Sequence, residues 1–92
     1  MIYSQYLKER FKDPRFEKLI LEHPERYQVA IAIIKTRFRK GWSQRYLAKK
    51  AKTTQAVISR VENMNVDSTV RLIRKIAVAL GKRLEISFVF PA

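Results

Sequence analysis

Side chains able to do covalent or metal chemistry are few in this chain. It has one histidine, His23, and no cysteine, so neither a thiolate site nor a multi-histidine metal site is available. No metal and no cofactor is expected. His23 directly precedes Pro24, where a helix cap or a surface role suffices. Ser43 and Lys49 do not make a catalytic dyad, because no histidine lies near them and the serine is better used as a cap. With no nucleophile–base pair, the chain reads as a non-enzyme. What is left is hydrogen-bonding chemistry. Residues 52–63, KTTQAVISRVEN, set Thr54, Gln55, Ser59 and Arg60 around the apolar Ile58 and Val61. Those polar positions are either an ordinary solvated face or a surface built to touch something.

Charge bears on that choice. The chain of 92 residues carries a formal net charge of +12. Its distribution is uneven: residues 1–25 hold five basic and five acidic side chains, whereas residues 26–61 hold ten basic ones and no Asp or Glu. Solubility does not require excluding acids from so long a stretch, so the pattern points to a polyanionic partner. A hydrophobic fraction of 47% is ordinary for a globular chain, and the length suits one domain, 1–92. No apolar run approaches a membrane span, and the start MIYSQYLKERF is too charged for a signal peptide. Absence of cysteine suits a reducing cytosol, so a cytoplasmic location is expected.

The elements that must position these residues are mainly helical. Ser4 is expected to cap a helix to about Phe11, and Asp13-Pro14 to start another to about Glu22; together residues 1–23 form an N-terminal extension. From Pro24 to Lys40, Tyr27, Ala30, Ile31, Ile34 and Phe38 recur at helical spacing, and Val29 and Ile33 add a second strip. That helix should be covered on two sides, with a cationic last turn of Arg37, Arg39 and Lys40 and a stop at Gly41. Ser43 is expected to cap the next helix, with Trp42 and Leu47 at staple spacing. Thr54 caps a further one. Asp67 or Ser68 caps the last, whose stripe is Val70, Ile73, Ala77 and Leu80, ending at Gly81. Residues 24–81 thus make a helical core. In 82–90 the period changes: Leu84, Ile86, Phe88 and Phe90 alternate with Arg83, Glu85, Ser87 and Val89. A lone strand needs a partner from outside, most simply the same strand of a second copy about a two-fold axis, giving a homodimer.

The stretch SQRYLAKKAKTTQAVISRVE, residues 43–62, has helix-turn-helix spacing, with Leu47, Ala51, Ile58 and Val61 placed to clamp the two helices and Ala48 small enough for a close crossing. From GWSQRYLAKKA through TTQAVISRVEN to LIRKIAVALGKRLEISF the chain resembles the lambda-repressor/Cro-like, or Xre-type, helix-turn-helix proteins. The resemblance implies a lambda-repressor-like bundle of about five to six helices with one C-terminal strand pairing across a dimer, and binding to double-stranded operator DNA. The helical N-terminal extension together with LGKRLEISF resembles the HigA-type antitoxins of type II toxin–antitoxin modules. That narrower likeness implies repression of the protein's own operon and neutralisation of a small RelE-fold, HigB-like mRNA-endonuclease toxin in the bacterial cytoplasm; the alternative is a stand-alone phage- or plasmid-type regulator. RNA or anionic-membrane binding is disfavoured by the motif spacing and by the lack of an aromatic-decorated sheet. The family pattern also places glycine where Lys52 and Met64 stand, so Lys52 should be strained, while Asn63 or Asn65 is expected to take the left-handed turn in place of Met64.

In this fold the second motif helix lies in the major groove with its N-terminal residues against base edges. Thr54, Gln55, Ala56, Ser59 and Arg60 are the expected base readers: Gln55 pairs bidentately with adenine, Arg60 reaches guanine or a phosphate, and Ala56 with Val57 meets thymine methyls. Arg39, Lys40, Ser43, Gln44, Arg45, Lys49, Lys52 and Asn63 are the expected phosphate contacts, Gln44 through its place at a helix start. Tyr3, Tyr6, Phe11, Phe16, Leu19 and Ile20 give the neutral N-terminal helices more apolar surface than so small a domain readily buries. They suit either packing on the long helix or docking of a toxin.

Overall fold

The structure is a computed structural model that describes residues 3–91, Tyr3 through its backbone alone. Six helices follow one another: α1 (Tyr3–Phe11), α2 (Pro14–Glu22), α3 (Pro24–Lys40), α4 (Gln44–Lys50), α5 (Gln55–Glu62) and α6 (Val70–Ala79). Local capping chemistry sets most starts. Asp13 accepts from the Arg15 amide ahead of Pro14, Ser43 Oγ from Tyr46 N at 3.0 Å, and Thr54 Oγ1 from Val57 N at 3.2 Å. The Arg15 guanidinium beside Asp13 also holds that carboxyl below its ordinary value. Ser4, by contrast, falls inside α1 and caps nothing, because the helix already runs from Tyr3.

The last four helices end with the same wiring. A left-handed residue follows each: Gly41 (φ 69°), Lys52 (φ 56°), Met64 (φ 59°) and Gly81 (φ 75°). The next amide then reaches back into the final turn, Trp42 to the Arg37 carbonyl, Thr53 to Ala48, Asn65 to Arg60 and Lys82 to Ala77, at 2.8–3.0 Å. These are Schellman closures. Lys52 therefore carries the strain expected of it, whereas the turn after α5 places Met64, and neither Asn63 nor Asn65, in the left-handed region.

α3 is covered on two sides, as its two apolar strips require. Ile33 joins Leu47, Ala48, Ala51, Ile58, Val61, Ile76 and Leu80 in the larger core. Ala30 joins Phe16 and Met64 in a smaller one under α2. Two expectations for α6 are corrected. Its cap is Thr69, whose Oγ1 accepts from Leu72 N at 3.1 Å. Asp67 is instead drawn to Arg26 on α3 (Nε to Oδ1 2.7 Å), which also donates to the Met64 carbonyl and holds the Asp67 carboxyl below its ordinary value. Ser68 is turned inward, its Oγ buried without a partner. Leu80 of the expected stripe is buried, together with Ile76 and flanked by Leu72 and Ala79, whereas Val70 is 53% exposed.

The tail does not form the expected strand here. Residues 82–90 run without a backbone ladder, because no second strand lies within reach of the single chain. Ile86, Phe88, Val89 and Phe90 are exposed, Phe88 and Phe90 almost completely.

Candidate nucleic-acid interface

The motif is assembled by burial on one side of each of its helices. Leu47, Ala48 and Ala51 at the back of α4 and its turn meet Ile58 and Val61 at the back of α5, all of them 3% exposed or less. A helix as short as α5 is marginal alone, so this apolar clamp, with the Thr54 cap, is what holds its outer face in place. That face presents Thr54, Gln55, Ala56 and Arg60, all exposed, with Ser59 half-buried beside them. Among the described residues neither Gln55 nor Arg60 has a side-chain hydrogen bond or ion pair within the chain. Val57, expected beside Ala56 at the groove, is half-buried and packs against the larger core.

The stretch that holds this face is rich in cations. Of the ten in residues 26–61, Arg26 and Arg37 have acidic partners. Lys35, Arg39, Lys40, Arg45, Lys49, Lys50, Lys52 and Arg60 have no ion pair among the described residues. Two of them lie on aromatic rings, Lys40 Nζ 5.1 Å from the Trp42 centroid and Lys50 Nζ 5.4 Å from that of Tyr46. Trp42 packs on the core beside Leu47, as its staple position requires, and meets Tyr46 edge-on at 4.9 Å. The strained Lys52 turn is braced from α6, where Lys75 Nζ donates to the Lys52 carbonyl at 3.2 Å.

Three expected phosphate contacts have work inside the chain. Ser43 caps α4. The Gln44 amide donates to Glu62 Oε1 at 3.0 Å, and Asn63 is bonded on both sides, donating to Ser59 Oγ at 3.2 Å and accepting from Arg10. Glu62 is the residue that the sequence reading missed. It is 1% exposed and takes Arg37 in a two-pronged pair, Nε to Oε2 2.8 Å and Nη2 to Oε1 2.9 Å, while Arg37 Nη1 donates to the Trp42 carbonyl. Arg37 is thus buried, not part of an exposed cationic turn. The signal was in the spacing, since Arg37 lies four residues from Ile33 and three from Ile34, on their stripe. Both charges are satisfied, so the one acid at the end of α5 adds little repulsion to the basic surface.

The N-terminal apolar residues pack on the long helix. Phe16 is buried and so is not part of a docking surface; Leu19 and Ile20 pack against it. The Tyr6 ring lies 5.2 Å from that of Phe38, and its hydroxyl reaches Glu62 at 3.3 Å. Phe11 stays half-exposed, edge-on to Phe16. The side chain of Tyr3 lies outside the described residues. In the tail Leu84 is half-covered, while Ile86, Phe88 and Phe90 stand free. Among the described residues no cluster of His, Cys, Asp or Glu could hold a metal, and no helix is long and apolar enough to cross a membrane.

Comparison with known families matches residues 33–86 to the helix-turn-helix family. No curated protein and no solved structure matches the chain. The matched span begins in α3, takes in α4, α5 and α6 and ends in the tail, so it contains the whole clamp and the whole exposed face of α5. The chain belongs to the Xre/Cro-type helix-turn-helix family and is a DNA-binding transcription regulator.

Proposed function

We propose that the chain binds operator DNA as a homodimer, with α5 in the major groove, and represses its own promoter. One observation carries this reading: Gln55, Ala56 and Arg60 are exposed and unengaged on a helix whose opposite side is locked into the core, within a stretch, residues 26–61, that holds no acid. Gln55 suits adenine N6 and N7, Arg60 guanine or a phosphate, and the Ala56 methyl a thymine methyl. Arg39, Lys40, Arg45, Lys49 and Lys52 neutralise the flanking backbone. Two-fold pairing of 82–90 would cover Ile86, Phe88 and Phe90 and set two copies of α5 on successive half-sites about 34 Å apart. A mobility-shift titration on the upstream promoter tests the reading. Gln55→Ala should weaken operator binding by about tenfold, the value of one bidentate base contact. Equal affinity for operator and scrambled DNA, in both proteins, would defeat it.

A second reading adds a protein partner, a small RelE-fold toxin, and makes the chain the antitoxin of its module. It is supported by α1 and α2, which lie outside the matched residues and leave Phe11 and Leu21 exposed, and by the likeness of this extension and of LGKRLEISF to HigA-type antitoxins. A RelE-like reading frame beside the gene favours it. Absence of one, with a divergent promoter instead, favours the stand-alone phage- or plasmid-type regulator. In either reading the protein works in the cytoplasm, on the nucleoid when bound to DNA.

A further inference from the structure

The extension that precedes the family domain is wired to the face that meets DNA. Arg10, on α1, donates through Nη1 to Asn63 Oδ1 and through Nη2 to the Tyr6 hydroxyl. Asn63, just past α5, donates through Nδ2 to Ser59 Oγ at 3.2 Å. Ser59 lies one turn after Gln55. This relay has a direction. A guanidinium is donor-only, so it selects the oxygen of the Asn63 amide and turns the nitrogen toward Ser59. The nitrogen is donor-only in turn, so it occupies a lone pair of the serine hydroxyl. That hydroxyl donates to no described atom, which leaves its proton for whatever lies before α5.

We infer that Arg10 is a positioning residue for DNA reading: through Asn63 it makes Ser59 a hydrogen-bond donor toward the base edges. Donor polarity selects an acceptor at that position, guanine O6 or N7, adenine N7 or thymine O4, and rejects the amino edge of cytosine. The inference rests on the proposed placement of α5 in the major groove. Mere anchoring explains Arg10 less completely. α1 is already tied down through Tyr6, whose ring lies 5.2 Å from that of Phe38 on α3 and whose hydroxyl reaches Glu62, yet the Nε of Arg10 is buried without a partner. The side chain is placed for its forward contact and not for its own satisfaction.

Binding-site selection from operators randomised across a half-site separates positioning from support, using wild type, Ser59→Ala, Arg10→Gln, Arg10→Lys and the double variant of Ser59→Ala with Arg10→Gln. Circular dichroism checks that each is folded. Glutamine presents either end of its amide and leaves the relay without a direction, whereas lysine is donor-only and keeps it. Ser59→Ala and Arg10→Gln should each lose about fivefold in operator affinity, the worth of one neutral hydrogen bond. Both should flatten the preference at the same single base position. The double variant should lose no more than Ser59→Ala alone, and Arg10→Lys should keep the preference. Two effects that multiply, a uniform loss with the base profile unchanged, or a lysine variant that behaves like the glutamine one would overturn the inference. Should Arg10→Gln fail to fold, Asn63→Asp takes its place: a carboxylate has no proton to give Ser59 and accepts one from it, so the same base position should flatten, and an unchanged profile would overturn the inference. Gln55→Ala serves as the control: if it abolishes selectivity while Arg10→Gln leaves the profile intact, the relay falls alone, and if it changes nothing, the placement of α5 falls.

Discussion

Lys52 and Met64 share a left-handed backbone and the same helix-end wiring, but their side chains have opposite surroundings. Lys52 is exposed, whereas Met64 is wholly buried against Phe16 and Ala30. An L-residue in this conformation costs about 1–2 kcal/mol. Relief of that strain makes Lys52→Gly about 1 kcal/mol more stable in urea denaturation, while loss of a cation weakens its DNA binding. Met64→Gly gains the same relief but empties a core position, where Met→Ala alone costs about 2–5 kcal/mol. Its net effect should be a loss of about 1–3 kcal/mol by the same measurement. The strain at Lys52 was legible in the sequence because a helix-turn-helix asks for glycine there. The same pattern asks for glycine at Met64, but the left-handed turn was expected at Asn63 or Asn65, because the reason for keeping methionine is contact with α2, far away along the chain. Gln55, Ala56 and Arg60 were legible as an exposed face because their environment is set by the period of one short helix. Asn63 was read as a phosphate contact, and its partner on α1 had no local trace.

At the scale of elements, one carboxylate gathers four helices. Glu62 at the end of α5 receives Arg37 from α3, Gln44 from α4 and the Tyr6 hydroxyl from α1. Removing one member of a buried pair strands the other charge, so Arg37→Met should cost about 3–5 kcal/mol in denaturation midpoint experiments. Replacing Arg37 and Glu62 together by apolar residues of similar volume should cost far less. Helix starts decided within a few residues, as at Asp13, Ser43 and Thr54, could be read from the chain alone. The start of α6 could not. Asp67, Ser68 and Thr69 are comparable caps by local rules, and the choice is made by Arg26 reaching across from α3 to claim Asp67.

Across the whole molecule, charge and apolar surface are segregated. The acid-free stretch supplies α4 and α5, and of the large exposed apolar side chains only Tyr46 falls within it among the described residues. If about six phosphates are neutralised per half-site, log affinity should fall against log salt with a slope near −5. Titration of operator binding over a salt series measures it, and a slope near zero would remove the electrostatic basis of the reading. Truncation after Gly81 should leave a folded monomer by sedimentation, since the tail contributes no residue to either core; a truncated chain that still dimerises would refute strand pairing. The alternation of 82–90 was legible as a pattern, but a pattern of period two names a strand without supplying the backbone it must pair with.

Trp42 has a practical consequence. It is the only tryptophan in the chain, half-buried against the edge of Tyr46 with the Lys40 ammonium over its indole. That cation is one of those proposed to turn toward phosphate. The protein thus carries an intrinsic fluorophore beside a cation of the proposed DNA surface, and its emission should change on titration with operator DNA without any label.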